Sequence, residues 1–167
     1  MGMSPPTADT QHADGFFMQE ALRLARQGIE QRDGGPFGAV VVIDNEIVGQ
    51  GWNQVVVRSD PTAHAEILAI RDACNRLGHF HLDGATLYSS CEPCPMCRAA
   101  VHWARIKTLV FAADAEDAAS IDFSDKIINQ ALQCPIEESG IKLRRQMQDE
   151  ALELFRQWQQ DPDKVRY

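Results

Sequence analysis

The sequence predicts a three-layer α/β/α domain built around one mixed sheet of five strands. Two observations predict it. Apolar strand-like runs alternate with segments of helical period along most of the chain. The two stretches richest in metal-ligating side chains, His64-Ala65-Glu66 and Pro93-Cys94-Pro95-Met96-Cys97, each follow a loop and open a helix. Two helix N-termini meeting over one cavity would aim backbone N–H groups and positive dipole ends at it. A chain of 167 residues, 44% of them hydrophobic, is long enough to bury the core such a domain needs.

Each element has its own justification. Residues 1–13, with Pro5-Pro6, read as a flexible tail, and 14–167 as a single domain. Phe17, Ala21, Leu24 and Gly28 recur at helical spacing, so 14–31 is a helix with Asp14 as N-cap. Asp33-Gly34-Gly35-Pro36 is a turn. The apolar run 37–43 is a buried strand, and 47–53 returns as its hairpin partner across Asp44-Asn45-Glu46. Asp60 caps a helix with Pro61 at its first position; Ile67, Ile70, Cys74 and Leu77 make its inner stripe, and Gly78 stops it. A third strand covers 85–88. Pro93 breaks the chain, and a helix over 94–103 turns Met96, Ala99, Ala100 and Trp103 inward. A fourth strand covers 108–112, and Ser124 caps a helix over 125–133. Ile141 and Leu143 alternate with basic residues, which predicts a fifth strand at an edge. Ala151, Leu154, Phe155 and Trp158 define a last helix, ended by Asp161-Pro162.

Composition narrows the function. The net charge of −8 disfavours a polyanionic partner, since nucleic-acid binding is driven by Lys and Arg displacing counterions. A small, weakly charged substrate is expected, and no nucleic acid. The five cysteines, Cys74, Cys91, Cys94, Cys97 and Cys134, are odd in number and clustered, unlike a disulfide framework. They read as reduced thiols of a cytoplasmic protein. With no apolar run of spanning length and no charged-then-apolar leader, no membrane is expected either.

His64, Cys94 and Cys97 make a ligand set that suits zinc, and three protein ligands leave a fourth position for water. Zinc lowers the pKa of its water from about 15.7 to about 7. Glu66, two residues from His64, can reach that water without being a ligand. It would take the proton, pass it to a ring nitrogen beside the carbon attacked by the metal-bound hydroxide, and then protonate the departing amino group. Duller readings compete. Cys91 also has C-x-x-C spacing to Cys94 and could close a structural zinc site, but structural sites use separated ligand pairs. A redox dithiol is disfavoured by Pro93, Pro95 and the remote His-x-Glu. Taken alone, His64 would be a core histidine and Glu66 a first-turn helix acid.

H-x-E followed by P-C-x-x-C is the general signature of zinc-dependent nucleobase deaminases. At these residues the chain resembles the cytidine deaminase superfamily, and more narrowly its bacterial guanine deaminases. The likeness spans roughly 14–167. It includes Gly34-Gly35-Pro36-Phe37-Gly38-Ala39-Val40, Asp60 to Glu66, Ser90 to Cys97 and Trp103-Ala104-Arg105. The resemblance implies a cytidine-deaminase-like fold and one Zn2+ per subunit on His64, Cys94 and Cys97. It implies Glu66 as proton shuttle and Asp125 as a second proton carrier. It makes Asn53 a carbonyl-reading amide and Phe37 a ring-stacking residue, and sets Ala65, Trp103 and Tyr167 around the substrate. The C-terminal helix and tail, about 145–167, would be exchanged between subunits of a homodimer, with Tyr167 closing the pocket. Asp122 and Ser124 depart from the family's more usual Gly and Asp.

The function expected is hydrolytic deamination of guanine to xanthine and ammonia. Asn53 can donate to a carbonyl and Asp125 can accept from a ring N–H, while a purine on an aromatic face gains roughly 1–3 kcal/mol. The alternatives are guanosine or another amino-heterocycle, such as an aminotriazine or cytosine. A tRNA adenosine deaminase shares both motifs but predicts a basic face, and a zinc-stabilised binding module predicts no role for Glu66.

Overall fold

The computed structural model describes residues 10–166, with side chains from residue 14. It divides into two compact units, meeting in sequence at Asp125/Lys126. The first unit runs α1 (Thr10–Gln31), β1 (Gly38–Ile43), β2 (Glu46–Trp52), α2 (Val55–Arg58), α3 (Ala65–Leu77), β3 (Thr86–Cys91), α4 (Pro95–Trp103), β4 (Thr108–Ala113) and α5 (Ala115–Ala119). The second holds α6 (Lys126–Gln133), a 3-10 turn at Ile136–Glu138 and α7 (Gln148–Gln160). None of the described helices is long and apolar enough to cross a membrane.

The sheet is mixed and ordered β2-β1-β3-β4; β1 pairs antiparallel with β2 and β3, and β3 pairs parallel with β4. The hairpin turns on Asp44 and Asn45 at φ 50° and 63°, the left-handed pair that a tight two-residue reversal requires. Successive β1 side chains feed opposite layers, as strand period dictates. Val40 and Val42 pack with Phe17, Leu24 and Tyr88 on the α1 side. Ala39 and Val41 join Ala65, Ala69, Ala73, Leu87 and Val101 on the side of α3 and α4. Three layers follow directly.

The sheet has four strands, not the expected five. Residues 141–147 form no strand, and Ile141 and Leu143 are exposed. Alternation gives a segment strand character, but a strand exists only once paired, and the second unit holds no other strand among its described residues.

Other expectations are corrected. Asp14 does not cap α1; it lies inside the helix and accepts a 2.6 Å hydrogen bond from Tyr88 Oη. The expected tail is already helical from Thr10, and residues 1–9 lie outside the described part. Asp60 does not open α3. Its carboxylate accepts from the N–H and hydroxyl of Thr62 in a turn, and His64 is the N-cap. Cys97 and Val101, not Trp103, face inward on α4.

The inner face of α3 is only partly the predicted one: Ile70 is buried and Cys74 packs against the core, as expected. Ala65, Ala69 and Ala73 are fully buried, whereas Leu77 is exposed. The reason lies in β2. A Cβ on Gly49 would strike the Ala69 carbonyl oxygen, and one on Gly51 would sit 2.6 Å from the Ala65 carbonyl oxygen and 2.7 Å from Ala69 N. Helix and strand therefore touch backbone to backbone, and only small side chains fit between them. Gly51→Ala should cost about 1–3 kcal/mol of stability by overpacking. Gly15→Ala, in α1 with nothing within 4 Å of its would-be Cβ, should be neutral or stabilising by up to about 1 kcal/mol. Denaturant unfolding of the two variants checks the contrast.

Candidate metal and catalytic site

His64 and Cys94 hold equivalent places: each is the extended N-cap residue of a helix, α3 and α4, and neither side chain makes a cap hydrogen bond. Pro95, at the first helical position of α4, has no N–H to satisfy and presets the helical turn. The uncommitted side chains turn to one another. His64 Nδ1 lies 3.6 Å from both Cys94 Sγ and Cys97 Sγ. The three ligand atoms all fall within 4.8 Å of one another.

These spacings fit zinc. Bonds of about 2.0–2.1 Å to nitrogen and 2.3 Å to sulfur, at a tetrahedral angle, separate N from S by roughly 3.5–3.6 Å. Cys91 stands apart from the group. Its thiol donates to the Asp114 carbonyl at 3.6 Å, and burial pushes its pKa up to about 11, so it stays protonated. Asp114 is itself held by a capping box with Asp117 at the start of α5. The closed four-ligand reading therefore has no support in the geometry.

Proton sharing also suits an incoming cation. Cys94 is pulled down to about 4, first by the hydrogen bond from the Cys97 thiol and then by the His64 imidazole. Cys97 is shifted up as the partner that keeps its proton, and His64 is raised by the Cys94 thiolate. A metal would displace those protons and take their place between the three groups.

Glu66 is only 6% exposed, in the first turn of α3. Its Oε1 accepts from Ser89 Oγ at 3.4 Å, and its Oε2 accepts from the Cys97 thiol at 3.5 Å. Burial raises its pKa, so the carboxyl is readily protonated. Ser89 was not singled out in the sequence, although a polar residue two places from Leu87 on one strand face is a usable signal.

Asn53 is 4% exposed and ends the hairpin beside the Gly34-Gly35 turn. Its Oδ1 accepts from Gly35 N at 3.2 Å and Val55 N at 3.3 Å, which sets the orientation of the amide. Phe37 meets Phe123 edge to face, centroids 5.0 Å apart. Gly35 is the third partner: a Cβ there would lie 2.8 Å from Phe37 and 2.9 Å from Phe123. Phe123 stands two residues before Asp125. Asp125 itself is half-buried, and its pKa is raised by burial and by the nearby Cys94 thiolate. Asp122 stands at φ 70°, which explains why glycine would be usual there.

Not every expected contact gathers here. Ala65 is fully buried in the core and has only its backbone to offer. Trp103 ends α4, eight residues beyond Pro95 and thus roughly 12 Å along the helix, and it is 67% exposed. Tyr167 lies outside the described residues.

Residues 11–113 match the description "Cytidine and deoxycytidylate deaminase zinc-binding region". The guanine deaminase of Bacillus subtilis is 44% identical over 151 residues, covering 90% of this chain and 97% of that protein. An X-ray structure of guanine deaminase from Bacillus subtilis matches with a TM-score of 0.87, over 92% of this chain and 98% of that one. The tRNA-specific adenosine deaminase of Buchnera aphidicola is 36% identical over 132 residues, or 79% of this chain and 83% of that protein. With its His64, Cys94 and Cys97 set for zinc, the chain belongs to the cytidine and deoxycytidylate deaminase zinc-binding family.

Proposed function

We propose that this chain is a zinc-dependent hydrolase that deaminates guanine to xanthine and ammonia. The observation that carries the reading is the buried Glu66 carboxyl beside the converged His64, Cys94 and Cys97. It occurs in a chain 44% identical to a guanine deaminase over 90% of its length.

When bound, the ion would supply Lewis acidity that makes water a competent nucleophile near neutral pH. The chain's own groups do the rest. Glu66 takes one proton from water and delivers it to the ring nitrogen beside the amino-bearing carbon, then takes the second from the hydroxyl now on that carbon and passes it to the amino group, which leaves as ammonia. A carboxyl whose pKa is raised by burial suits both directions of that transfer. Asp125, at the edge of the same site, is the second proton carrier. The Asn53 NH2 donates to the ring carbonyl, and Phe37, backed by Phe123, offers the flat face for the purine. The Ala65 backbone and Tyr167 complete the substrate contacts in this reading.

Exchange of about 145–167 between two copies fits the second unit, whose helices bury no residue. Leu154, Phe155 and Trp158 of α7 are all exposed. A homodimer in the cytoplasm is therefore the assembly proposed. Matches to tRNA-specific adenosine deaminases keep that substrate as a second reading, set against the net charge of −8.

Glu66→Gln should retain zinc while kcat falls by about 10²–10⁴-fold, the range typical of losing a positioned acid–base group. Cys97→Ser should lose the zinc itself. Metal analysis beside steady-state assays separates the two. Guanine should show a higher kcat/KM than guanosine; the reverse order would reject the free-base reading.

A further inference from the structure

Asn53 can read a carbonyl only if its amide is held one way round, and the structure shows where that hold begins. Helix α1 ends in a left-handed residue, Arg32 at φ 59°, and Asp33 N closes the cap by donating to the Gly28 carbonyl at 3.0 Å. This places Asp33 against the end of β2. Its Oδ2 accepts a 2.7 Å hydrogen bond from Trp52 Nε1. Its backbone carbonyl accepts from both Val56 N and Val57 N at 3.0 Å. Asp33 therefore grips the residue before Asn53 and the third and fourth residues after it.

Two glycines make room for this grip. A Cβ on Gly28 would come within 2.9 Å of Trp52 Cδ1, so the indole seats directly on α1. A Cβ on Gly34 would collide with Asn53 Oδ1. The turn following Asp33 then completes the hold: Asn53 N donates to the Phe37 carbonyl at 2.9 Å, and Gly35 N donates to Asn53 Oδ1.

We propose that Asp33 is a positioning residue for substrate recognition, fixing the Asn53 amide through Trp52 and the first turn of α2. The proposal rests on the reading of Asn53 as the carbonyl-reading group. Asp33 touches no substrate; its effect passes through Asn53 alone. Loss of its side chain breaks the Trp52 contact, while the backbone carbonyl keeps Val56 and Val57, and so weakens ground-state and transition-state binding alike and acts on KM.

The test uses the zinc-loaded full chain with guanine and the variants Asn53→Ala, Asp33→Ala, Asp33→Asn and the double variant Asp33→Ala/Asn53→Ala. Asp33→Ala should raise KM about tenfold with kcat within about threefold. Asp33→Asn keeps an oxygen acceptor for the indole and should recover most of the loss. The double variant should be no worse than Asn53→Ala, because both changes act on one interaction. The Asn53 side-chain NH2 signals in 15N spectra should shift or broaden in Asp33→Ala and return in Asp33→Asn. If Asn53→Ala leaves KM unchanged, the carbonyl-reading role falls and the proposal falls with it. If Asn53→Ala raises KM but Asp33→Ala does not, or if the two effects multiply, the proposal alone is overturned. If the wild type does not turn over guanine, the substrate reading fails, and unmoved Asn53 NH2 signals in Asp33→Ala would overturn the positioning claim as well.

Discussion

The backbone contact between α3 and β2 is the constraint on which the site depends. His64 and Glu66 lie at the end of a helix, and a metal site tolerates only a few tenths of an ångström of error in its ligands. Gly49 and Gly51 let α3 settle onto the strand until atoms of the two backbones meet, and Ala65, Ala69 and Ala73 keep that seat free of side chains that could shift. A seat made of backbone has no rotamers. Helix α4 is directed differently, by strand β3 running into buried Pro93 and by Pro95 in the first helical position. The ligand group forms where these two independently fixed helix starts converge.

Gathering those groups crowds acidic side chains around one thiolate. Glu66 is buried, Cys94 is a thiolate at neutral pH, and Asp125 is close enough for Cys94 to raise its pKa. Helix N-termini offset part of that charge, typically by 0.3–1 kcal/mol each, roughly. A divalent cation offsets far more, so the same arrangement that selects the metal also needs it. Cys91 shows how a neighbouring thiol stays out. With its proton committed to the Asp114 carbonyl and its pKa pushed to about 11, it does not compete for the open position. Two thiols of one C-x-x-C spacing thus differ because one sits at a helix start and the other at a strand end.

The ligand stretches were legible because their chemistry is local. His64 and Glu66 are separated by one residue and Cys94 and Cys97 by two, and each pair rides on a single helix start. The hairpin was legible through Asp44-Asn45 for the same reason. What escaped depended on partners far along the chain. Ile70 and Cys74 were rightly placed inside α3, whereas Leu77 is exposed and Ile67 only partly buried, because where the helix meets Gly49 and Gly51 only Ala65, Ala69 and Ala73 fit. Trp103 was expected inward because it is large and apolar, yet Cys97 and Val101 occupy the face of α4 that meets the core. Ile141 and Leu143 alternate like a strand and find no strand to pair with in their unit. Asp33 looked like an ordinary turn residue until Trp52, nineteen positions away, gave its carboxylate a partner.

The orientation of one amide bears on which ring the site accepts. An asparagine side chain presents oxygen or nitrogen with almost the same shape, so shape alone cannot tell a ring carbonyl from a ring amino group. At Asn53 the ambiguity is removed, because two backbone N–H groups occupy the oxygen. In the proposed reading the NH2 is left for the ligand, and a donor there favours a carbonyl on the opposing ring edge. A purine carrying an amino group at that edge would set donor against donor, leaving both desolvated and unpaired at a cost of about 1–3 kcal/mol or more. Discrimination of this kind comes from unsatisfied polar groups and exceeds what a hydrophobic wall can enforce. In the proposed reading, guanine is separated from adenine by the turn that holds one side chain's polarity, while the aromatic pair Phe37 and Phe123 accepts either ring on its face.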